Sequence, residues 1–135
     1  MVKLIVGLKG TGKTKTLIEM VNSVARASSG SVICLERGDK LRYDVSYQAR
    51  LVDVAEYGIE DAHDLGGFVC GMYASNHDIT NVFIDSALKI CKNDVNSFAE
   101  FFVKLANFAE KNGFDLVMTS SIEAKDLPAE LIAYL

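Results

Sequence analysis

The residues best suited to chemistry lie in one run near the start of the chain, Gly7-Leu8-Lys9-Gly10-Thr11-Gly12-Lys13-Thr14. The run matches the pattern G-x-x-x-x-G-K-[ST], in which glycines let the backbone curl around a phosphate with its N–H groups pointing inward. In such a loop Lys13 would reach the β- and γ-phosphates, and the Thr14 hydroxyl would contact the Mg²⁺ that bridges them. The spacing therefore predicts a site for a nucleoside triphosphate with Mg²⁺.

The predicted ligand contacts continue into the helix that should follow the loop. A helix N-terminus offers N–H donors without intrahelical acceptors and the positive end of the helix dipole, and both suit an anion. The residues expected to contact phosphate are Gly7, Lys9, Gly10, Thr11, Gly12, Lys13, Thr14 and Lys15. For Lys9 two interpretations stay open, because its side chain could lean over the phosphates or project into solvent.

The flanking residues predict the elements that such a loop requires. Val2 to Val6 is a short, β-branched apolar run that indicates a buried strand, and it ends at Gly7. From Lys13 onward apolar residues recur on one face of a helix, which Ser28-Ser29-Gly30 should end. The loop thus lies between a strand and a helix, as the pattern demands.

The rest of the chain repeats this alternation of strands and helices. Further strands are predicted at Ser31–Leu35, Leu51–Val54, Val82–Ile84 and Phe114–Met118, and further helices at Ala62–Met72, from Asp94 to Asn112-Gly113, and at Leu127–Leu135. Between Lys40 and Tyr57, apolar and polar residues alternate, which favours an extended, half-exposed segment. The pattern predicts one α/β domain over residues 1–135, with a mainly parallel sheet of about five strands and helices on both faces.

A carboxylate at the end of another strand supports the metal prediction. The run Asn81-Val82-Phe83-Ile84-Asp85 is an apolar strand that ends in an acid, the arrangement of a Walker B strand. Because ligands bind at the carboxyl ends of parallel strands, Asp85 should lie near Thr14 and help to hold Mg²⁺. The alternative is that Asp85 caps the segment that follows it.

These two motifs resemble those of P-loop NTPases of the RecA-like type, and the chain looks like small, uncharacterised bacterial ATP-binding proteins made of this core alone. The resemblance implies a three-layer P-loop NTPase fold with ATP and Mg²⁺ as cofactors. It also implies that Glu36 orients water and that Thr119 and Ser120 form a polar sensor facing the γ-phosphate. Glu36 could instead be a surface residue at a strand end. Ser86 departs from the wider class, in which a Glu commonly follows the Walker B Asp.

Composition narrows the classes of function. The chain has 135 residues, 50% of them hydrophobic, and a net charge of −4 with no basic block, so we expect no nucleic-acid partner. No apolar run approaches the roughly 18 residues of a membrane span, and the N-terminus lacks a signal-peptide pattern. Cys34, Cys70 and Cys91 form no C-x-x-C pair and are expected to be free thiols in the core. A cytoplasmic location follows as an expectation.

The function predicted from these observations is Mg²⁺-dependent ATP binding with weak or partner-stimulated hydrolysis. Because a P-loop core would use nearly all of this sequence, a protein partner or self-association is expected. Arg37, Arg42 and Arg50 flank Tyr43 and Tyr47. This segment is a partner or substrate face, the source of an Arg finger for a neighbouring subunit, or a solvated extended segment. Two alternatives remain for the activity, a small-molecule kinase that uses the same loop and a nucleotide-dependent interaction module with little turnover.

Overall fold

One parallel sheet organises the chain in a computed structural model that describes all of residues 1–135. Its strands are β1 (Val2–Gly7), β2 (Ser31–Glu36), β3 (Arg50–Asp53), β4 (Ile79–Ile84) and β5 (Asp115–Ser121). The helices are α1 (Lys13–Ala27), α2 (Ala62–Ser75), α3 (Ala87–Ile90), α4 (Val95–Asn112) and α5 (Ala129–Ile132), with 3₁₀ turns at Val54–Tyr57 and Ala124–Asp126. The predicted α/β class and the parallel sheet of about five strands are confirmed.

The order of the strands brings distant parts of the sequence to one edge of the sheet. The order is β1-β5-β4-β2-β3, and every neighbouring pair is parallel. All five strands therefore end at the same edge. β5 lies between β1 and β4, so the loop after β1 and the residue after β4 flank the end of β5. This edge is where an open parallel sheet binds ligands.

The core is divided by the sheet into two clusters. On one face α1 packs Leu17, Val21 and Ala25 against the sheet residues Cys34 and Phe83. On the other face the sheet residues that alternate with these pack against α2, α4 and α5. Because both faces of the central strands are covered, those strands are apolar at successive positions, as β2 is from Val32 to Leu35. The crossovers after β1 and β4 thus leave the sheet on opposite faces.

Helix α4 shows how local sequence sets the limits of an element. The side chain of Asp94 accepts a hydrogen bond from the Ser97 N–H at 3.2 Å and caps the first turn. Gly113, at φ 79°, ends the helix in the left-handed conformation that favours glycine. Both ends lie where the sequence predicts them. None of the helices combines the length and the hydropathy of a membrane-spanning segment.

The segment between β2 and β3 differs from the prediction. It forms a series of turns instead of an extended chain: Tyr43 and Tyr47 are 84% and 96% exposed, whereas Leu41, Val45 and Ala49 are buried. The burial repeats every four residues because the segment lies along α1, where Asn22 bonds the backbone of residues 44 and 46. Apolar residues at every second position include apolar residues at every fourth position. The same sequence pattern therefore fits an extended segment and a series of turns that buries every fourth residue.

Two shorter differences concern the ends of elements. The terminal helix spans Ala129–Ile132 with Pro128 at its N-cap, and it is shorter than the predicted Leu127–Leu135. The third strand ends at Asp53 because the Asp53 side chain accepts a hydrogen bond from the Ala55 N–H and starts a 3₁₀ turn there. Helix α3 was not predicted from the sequence; it has only four residues and lies directly after the end of β4.

A glycine in the turn between α1 and β2 provides a test of this packing. A Cβ on Gly30 would collide with the backbone oxygen of Asp78 and with Cγ2 of Thr80. We expect Gly30→Ala to lower the free energy of unfolding by about 2 kcal/mol, because the collision with a backbone atom forces the turn to shift.

The matched control for Gly30→Ala is Gly67→Ala. Gly67 is inside α2, and a Cβ there meets nothing within 4 Å. This change should raise the free energy of unfolding by about 1 kcal/mol, since alanine favours a helix over glycine. Urea unfolding of both variants measures the two effects, and equal shifts in one direction would contradict the described geometry.

Candidate phosphate-binding site

The loop between β1 and α1 adopts a conformation that depends on glycine. Gly10 and Gly12 have φ angles of 88° and 86°, in the left-handed region that residues with a Cβ rarely adopt. Their Cβ positions open onto free space, so the backbone and not crowding selects glycine here. The strand thus leads through a bare backbone turn directly into the first turn of α1.

The N-terminus of α1 is left open by its own sequence. Gly12 occupies the N-cap, no side chain caps the helix, and no acidic residue lies in its first turn. The other two long helices, α2 and α4, differ from α1 because Asp61 and Asp94 cap them. The first N–H groups of a helix have no intrahelical acceptors, and they carry a partial positive charge. This helix end therefore offers donors to an anion.

Lys13 keeps its ammonium group close to the loop. Its Nζ donates to the backbone oxygen of Leu8 at 2.9 Å, and Thr11 Oγ1 donates to the same oxygen at 2.7 Å. Since this contact is exposed, it contributes little to stability and can exchange for a stronger acceptor. Lys13 is thereby positioned beside the open N-terminus of α1.

The structure brings Thr14 and Asp85 together. Thr14 Oγ1 donates to Asp85 Oδ1 at 3.1 Å and lies 3.2 Å from Oδ2, although 71 positions separate the two residues in the sequence. Asp85 is 8% exposed, and its Oδ1 also accepts from Thr119 Oγ1 at 2.7 Å. The carboxylate is thus fixed from both sides, between the start of α1 and the end of β5.

The two predicted sensor residues are bonded to protein atoms. Thr119, besides donating to Asp85, accepts a hydrogen bond from the Ser86 N–H at 2.8 Å, and Ser120 Oγ accepts from the Leu88 N–H at 3.3 Å. Both hydroxyls are fully buried, and they hold the beginning of α3 against β5. Contact of Thr119 and Ser120 with a γ-phosphate stays a prediction. In this structure their neighbour Ser121 is the residue that reaches the cavity at this edge.

Glu36 is buried at the end of β2 and is not a surface residue. It is 4% exposed, and its Oε2 accepts a hydrogen bond from the Leu41 N–H at 3.1 Å. Burial raises the pKa of Glu36 above its ordinary value, the Leu41 and Lys40 N–H groups oppose this shift, and the charges of Asp85 and Asp53 add to it. The alternative interpretation of a surface residue is wrong, and the proposed role in orienting water stays a prediction.

The raised pKa of Glu36 makes stability depend on pH in a defined direction. The folded protein binds this proton more tightly than the unfolded chain, so the free energy of unfolding falls as pH rises through the raised pKa. Glu36→Gln cannot ionise, and it keeps an oxygen for the Leu41 N–H. We expect this variant to be more stable than the wild type at pH 7, with a smaller difference at pH 4.

Urea unfolding at the two pH values measures the Glu36 effect. Glu110→Gln, which removes an exposed carboxylate on α4, controls for the change in net charge. A Glu36→Gln variant whose advantage is equal at both pH values would contradict the assignment of the pH dependence to this carboxyl.

A cavity of about 710 Å³ opens at this edge of the sheet. Five lysines line it, in a chain whose net charge is −4, and Asp85 is the one acidic residue among the lining side chains. The five lysines are Lys9, Lys13, Lys15, Lys40 and Lys89. Of the predicted contacts, Gly10, Gly12 and Thr14 also line the cavity, whereas Gly7 and Thr11 do not. The cavity is therefore a strongly positive region on an acidic protein.

Lys40 and Lys89 are cavity residues that the sequence analysis missed. Lys40 lies four positions after the end of β2, and Lys89 lies four positions after Asp85. Both therefore follow strands whose carboxyl ends meet at the edge of the loop, and that position is the signal that could have identified them.

The oxygen donors at the site fit Mg²⁺ only together with a ligand. No group of three or more His, Cys, Asp or Glu side chains is arranged to hold a metal. Thr14 and Asp85 supply a hydroxyl and a carboxylate, hard donors of the kind Mg²⁺ accepts. Because Mg²⁺ usually takes one or two protein oxygens and completes its shell with phosphate and water, this pair suits a metal that arrives with a phosphate ligand.

Cys34 lies next to the site in the core below α1. Burial raises its pKa to about 12, and the nearby carboxylates of Asp85 and Glu36 add to the shift. Burial likewise raises the pKa of Cys91 to about 12. Since the thiolate is the reactive form, neither is a nucleophile. The prediction of free thiols in the core is confirmed for Cys34 and Cys91, whereas Cys70 is only half-buried.

No protein-family model matches this chain, and no curated protein is significantly similar to it. The geometry of the loop, the Asp85 carboxylate and the cavity is therefore the basis for assigning a function.

Proposed function

We propose that this protein binds a nucleoside triphosphate, with ATP and Mg²⁺ as its ligands, and hydrolyses it weakly or on stimulation by a partner. In this proposal it is a P-loop NTPase of the RecA-like type, with a three-layer P-loop fold over residues 1–135. The observation that carries the proposal is the contact between Thr14 and Asp85 at the wall of the lysine-lined cavity. A hydroxyl and a carboxylate meet there beside an open helix N-terminus.

Each part of the site has a defined role in the bound state. The N–H groups of the loop and of the first turn of α1 bind phosphate oxygens, and Lys13 exchanges the Leu8 oxygen for the β- and γ-phosphates. Thr14 and Asp85 would hold the Mg²⁺, which would supply positive charge to the phosphate oxygens. Thr119 positions the Asp85 carboxylate through its 2.7 Å hydrogen bond.

Hydrolysis requires one further group. A water oxygen attacks the γ-phosphorus, the bond from phosphorus to the β–γ bridging oxygen breaks, ADP leaves, and the water gives up a proton. Glu36 is the base assigned to this proton, and its Oε2 must first release the Leu41 N–H. Because that bond is made in this structure and Glu36 does not line the cavity, turnover by the protein alone should be slow.

The bond between Glu36 and Leu41 also favours a second candidate, a nucleotide-dependent interaction module with little turnover. Leu41 belongs to the connecting segment between β2 and β3, which carries the exposed rings of Tyr43 and Tyr47. The Arg42 guanidinium lies 4.7 Å above the Tyr43 ring. Tyr and Arg side chains are enriched at interface hot spots, so this segment is the part we propose for a protein partner or for self-association.

Calorimetric titration with a non-hydrolysable ATP analogue, with and without Mg²⁺, tests the proposal. We expect one binding site per chain and tighter binding with Mg²⁺. An absence of binding under both conditions would refute it. Single-turnover hydrolysis of ATP then separates the two candidates, since a measurable rate supports the hydrolase and binding without any turnover supports the interaction module.

A further inference from the structure

We infer that this site recognises the polyphosphate chain and not the base, so that different nucleoside triphosphates bind with similar affinity and inorganic tripolyphosphate binds at least as tightly. The inference rests on the proposed function, which places a triphosphate on the loop, and it specifies the class of ligand. Two features of the cavity carry it, the distribution of its lysines and the character of its remaining side chains.

The lysines surround the loop from more than one direction. Lys9, Lys13 and Lys15 come from the loop and the start of α1, Lys40 from the connecting segment, and Lys89 from α3. Five lysine ammonium groups and one carboxylate line the cavity. Their excess of positive charge is larger than the negative charge of one metal-bound triphosphate. Lysine acts on phosphate as a point charge, so such a set follows total anionic charge and disregards what is attached to it.

The two lysines from outside the loop are held by buried backbone contacts. Glu36 accepts hydrogen bonds from the backbone around Lys40, including the 3.1 Å bond from Leu41. The backbone of α3, which carries Lys89, is anchored by Thr119 and Ser120. Because both anchors are buried side chains at strand ends, each lysine is attached to a fixed backbone at the cavity and does not belong to a free surface loop.

The remaining lining offers little to a base. Its two apolar side chains are Leu41 and Leu88, and no aromatic ring is among the lining residues. A site discriminates between bases when its hydrogen-bonding groups match the edge of one base and are left unpaired by another base. Asn93 supplies the one amide of the lining, and an amide carries both a donor and an acceptor, so it can pair with adenine or guanine alike.

Competition calorimetry in the presence of Mg²⁺ tests the inference on the wild-type protein. We expect ATP, GTP and CTP to have dissociation constants within about threefold of each other, a spread of less than 1 kcal/mol, and inorganic tripolyphosphate, which carries one more negative charge, to bind at least as tightly as ATP. Pyrophosphate should bind more weakly than tripolyphosphate, and adenosine should not bind.

Two lysine variants of the protein also test whether the site recognises only the polyphosphate chain. Lys40→Ala and Lys89→Ala should each weaken ATP and tripolyphosphate by the same factor, about three- to tenfold, as expected for one partly solvated charge. Lys104→Ala, which removes a lysine from the groove between α2 and α4, is the matched control and should leave both affinities unchanged.

The outcomes separate this inference from the proposed function. If ATP binds more than about tenfold more tightly than both GTP and tripolyphosphate, the base is recognised and the inference is wrong, whereas the proposed function stands. A variant at Lys40 that weakens ATP and spares tripolyphosphate would also overturn it. If neither ATP nor tripolyphosphate binds, the proposed function fails and the inference fails with it.

Discussion

Replacing Lys13 by alanine is expected to weaken the binding of ATP with Mg²⁺ by about 100-fold, or close to 3 kcal/mol. The ammonium lies at the loop, 2.9 Å from the Leu8 oxygen, beside the open N-terminus of α1. A charge-assisted hydrogen bond to phosphate is lost in the variant, and the loop N–H groups and the remaining lysines of the cavity must then hold the anion. Isothermal titration calorimetry of both proteins measures the difference.

The stability of the Lys13 variant should be close to that of the wild type. The Lys13 contact is exposed, so its removal should change the free energy of unfolding by less than about 0.5 kcal/mol. Lys104→Ala again serves as the control for loss of one positive charge. Unchanged ATP affinity in a folded Lys13→Ala protein would contradict the proposed function, which assigns the β- and γ-phosphates to the Lys13 ammonium.

Asp85→Asn should remove most of the effect of Mg²⁺ on ATP binding. In the wild type we expect Mg²⁺ to strengthen binding, and the variant should bind ATP with Mg²⁺ about 30- to 100-fold more weakly. Asparagine keeps an oxygen that can accept from Thr119 Oγ1, but it lacks the charge that a hard cation requires. Titrations of each protein with and without Mg²⁺ give the ratio of the two dissociation constants for ATP. In the Asp85→Asn variant this ratio should fall towards one.

The control for Asp85→Asn comes from the other end of the same strand. Asp78 is exposed just before β4, at the edge of the sheet opposite the loop, and Asp78→Asn makes the same chemical change. It should leave the Mg²⁺ dependence intact. If Asp85→Asn retains the full Mg²⁺ effect, the metal is held elsewhere and the assignment of Thr14 and Asp85 is wrong.

Elements whose local and tertiary preferences agree could be predicted from the sequence. Helix α4 combines an Asp94 cap, an apolar stripe and the Gly113 stop, and all three act within the element itself. Strands such as β2 are apolar at successive positions because the sheet is covered on both faces, and the sequence shows this as the unbroken run Val32–Leu35. The order of the strands leaves no such local trace.

The conformation of the segment between β2 and β3 could not be predicted from its sequence pattern. Val45 and Ala49 are buried because α1 is next to them and Asn22 holds the backbone at residues 44 and 46. That contact joins residues more than twenty positions apart, and no periodicity within the segment reports it. Short elements such as α3 could not be predicted for a related reason, because buried hydrogen bonds to Thr119 and Ser120 fix the start of α3.

Some contacts of the candidate site could likewise be predicted from the sequence, and others could not. The loop and the meeting of Thr14 with Asp85 follow from spacing and from the rule that parallel strands end at one edge. The sequence could not show that Glu36 is bonded to Leu41, or that Thr119 is bonded to both Asp85 and Ser86, because these are choices among several polar partners. Such choices depend on distances that only the folded chain defines.

The unequal burial of the three thiols makes the protein suitable for site-specific labelling in its natural sequence. Cys34 and Cys91 are enclosed in the core, and a maleimide cannot reach them in the folded state. Cys70 lines the groove between α2 and α4, on the face of the sheet opposite α1. A fluorophore attached there would lie away from the lysine-lined cavity, and its emission would report on molecules that cover the groove while the phosphate loop stays unmodified.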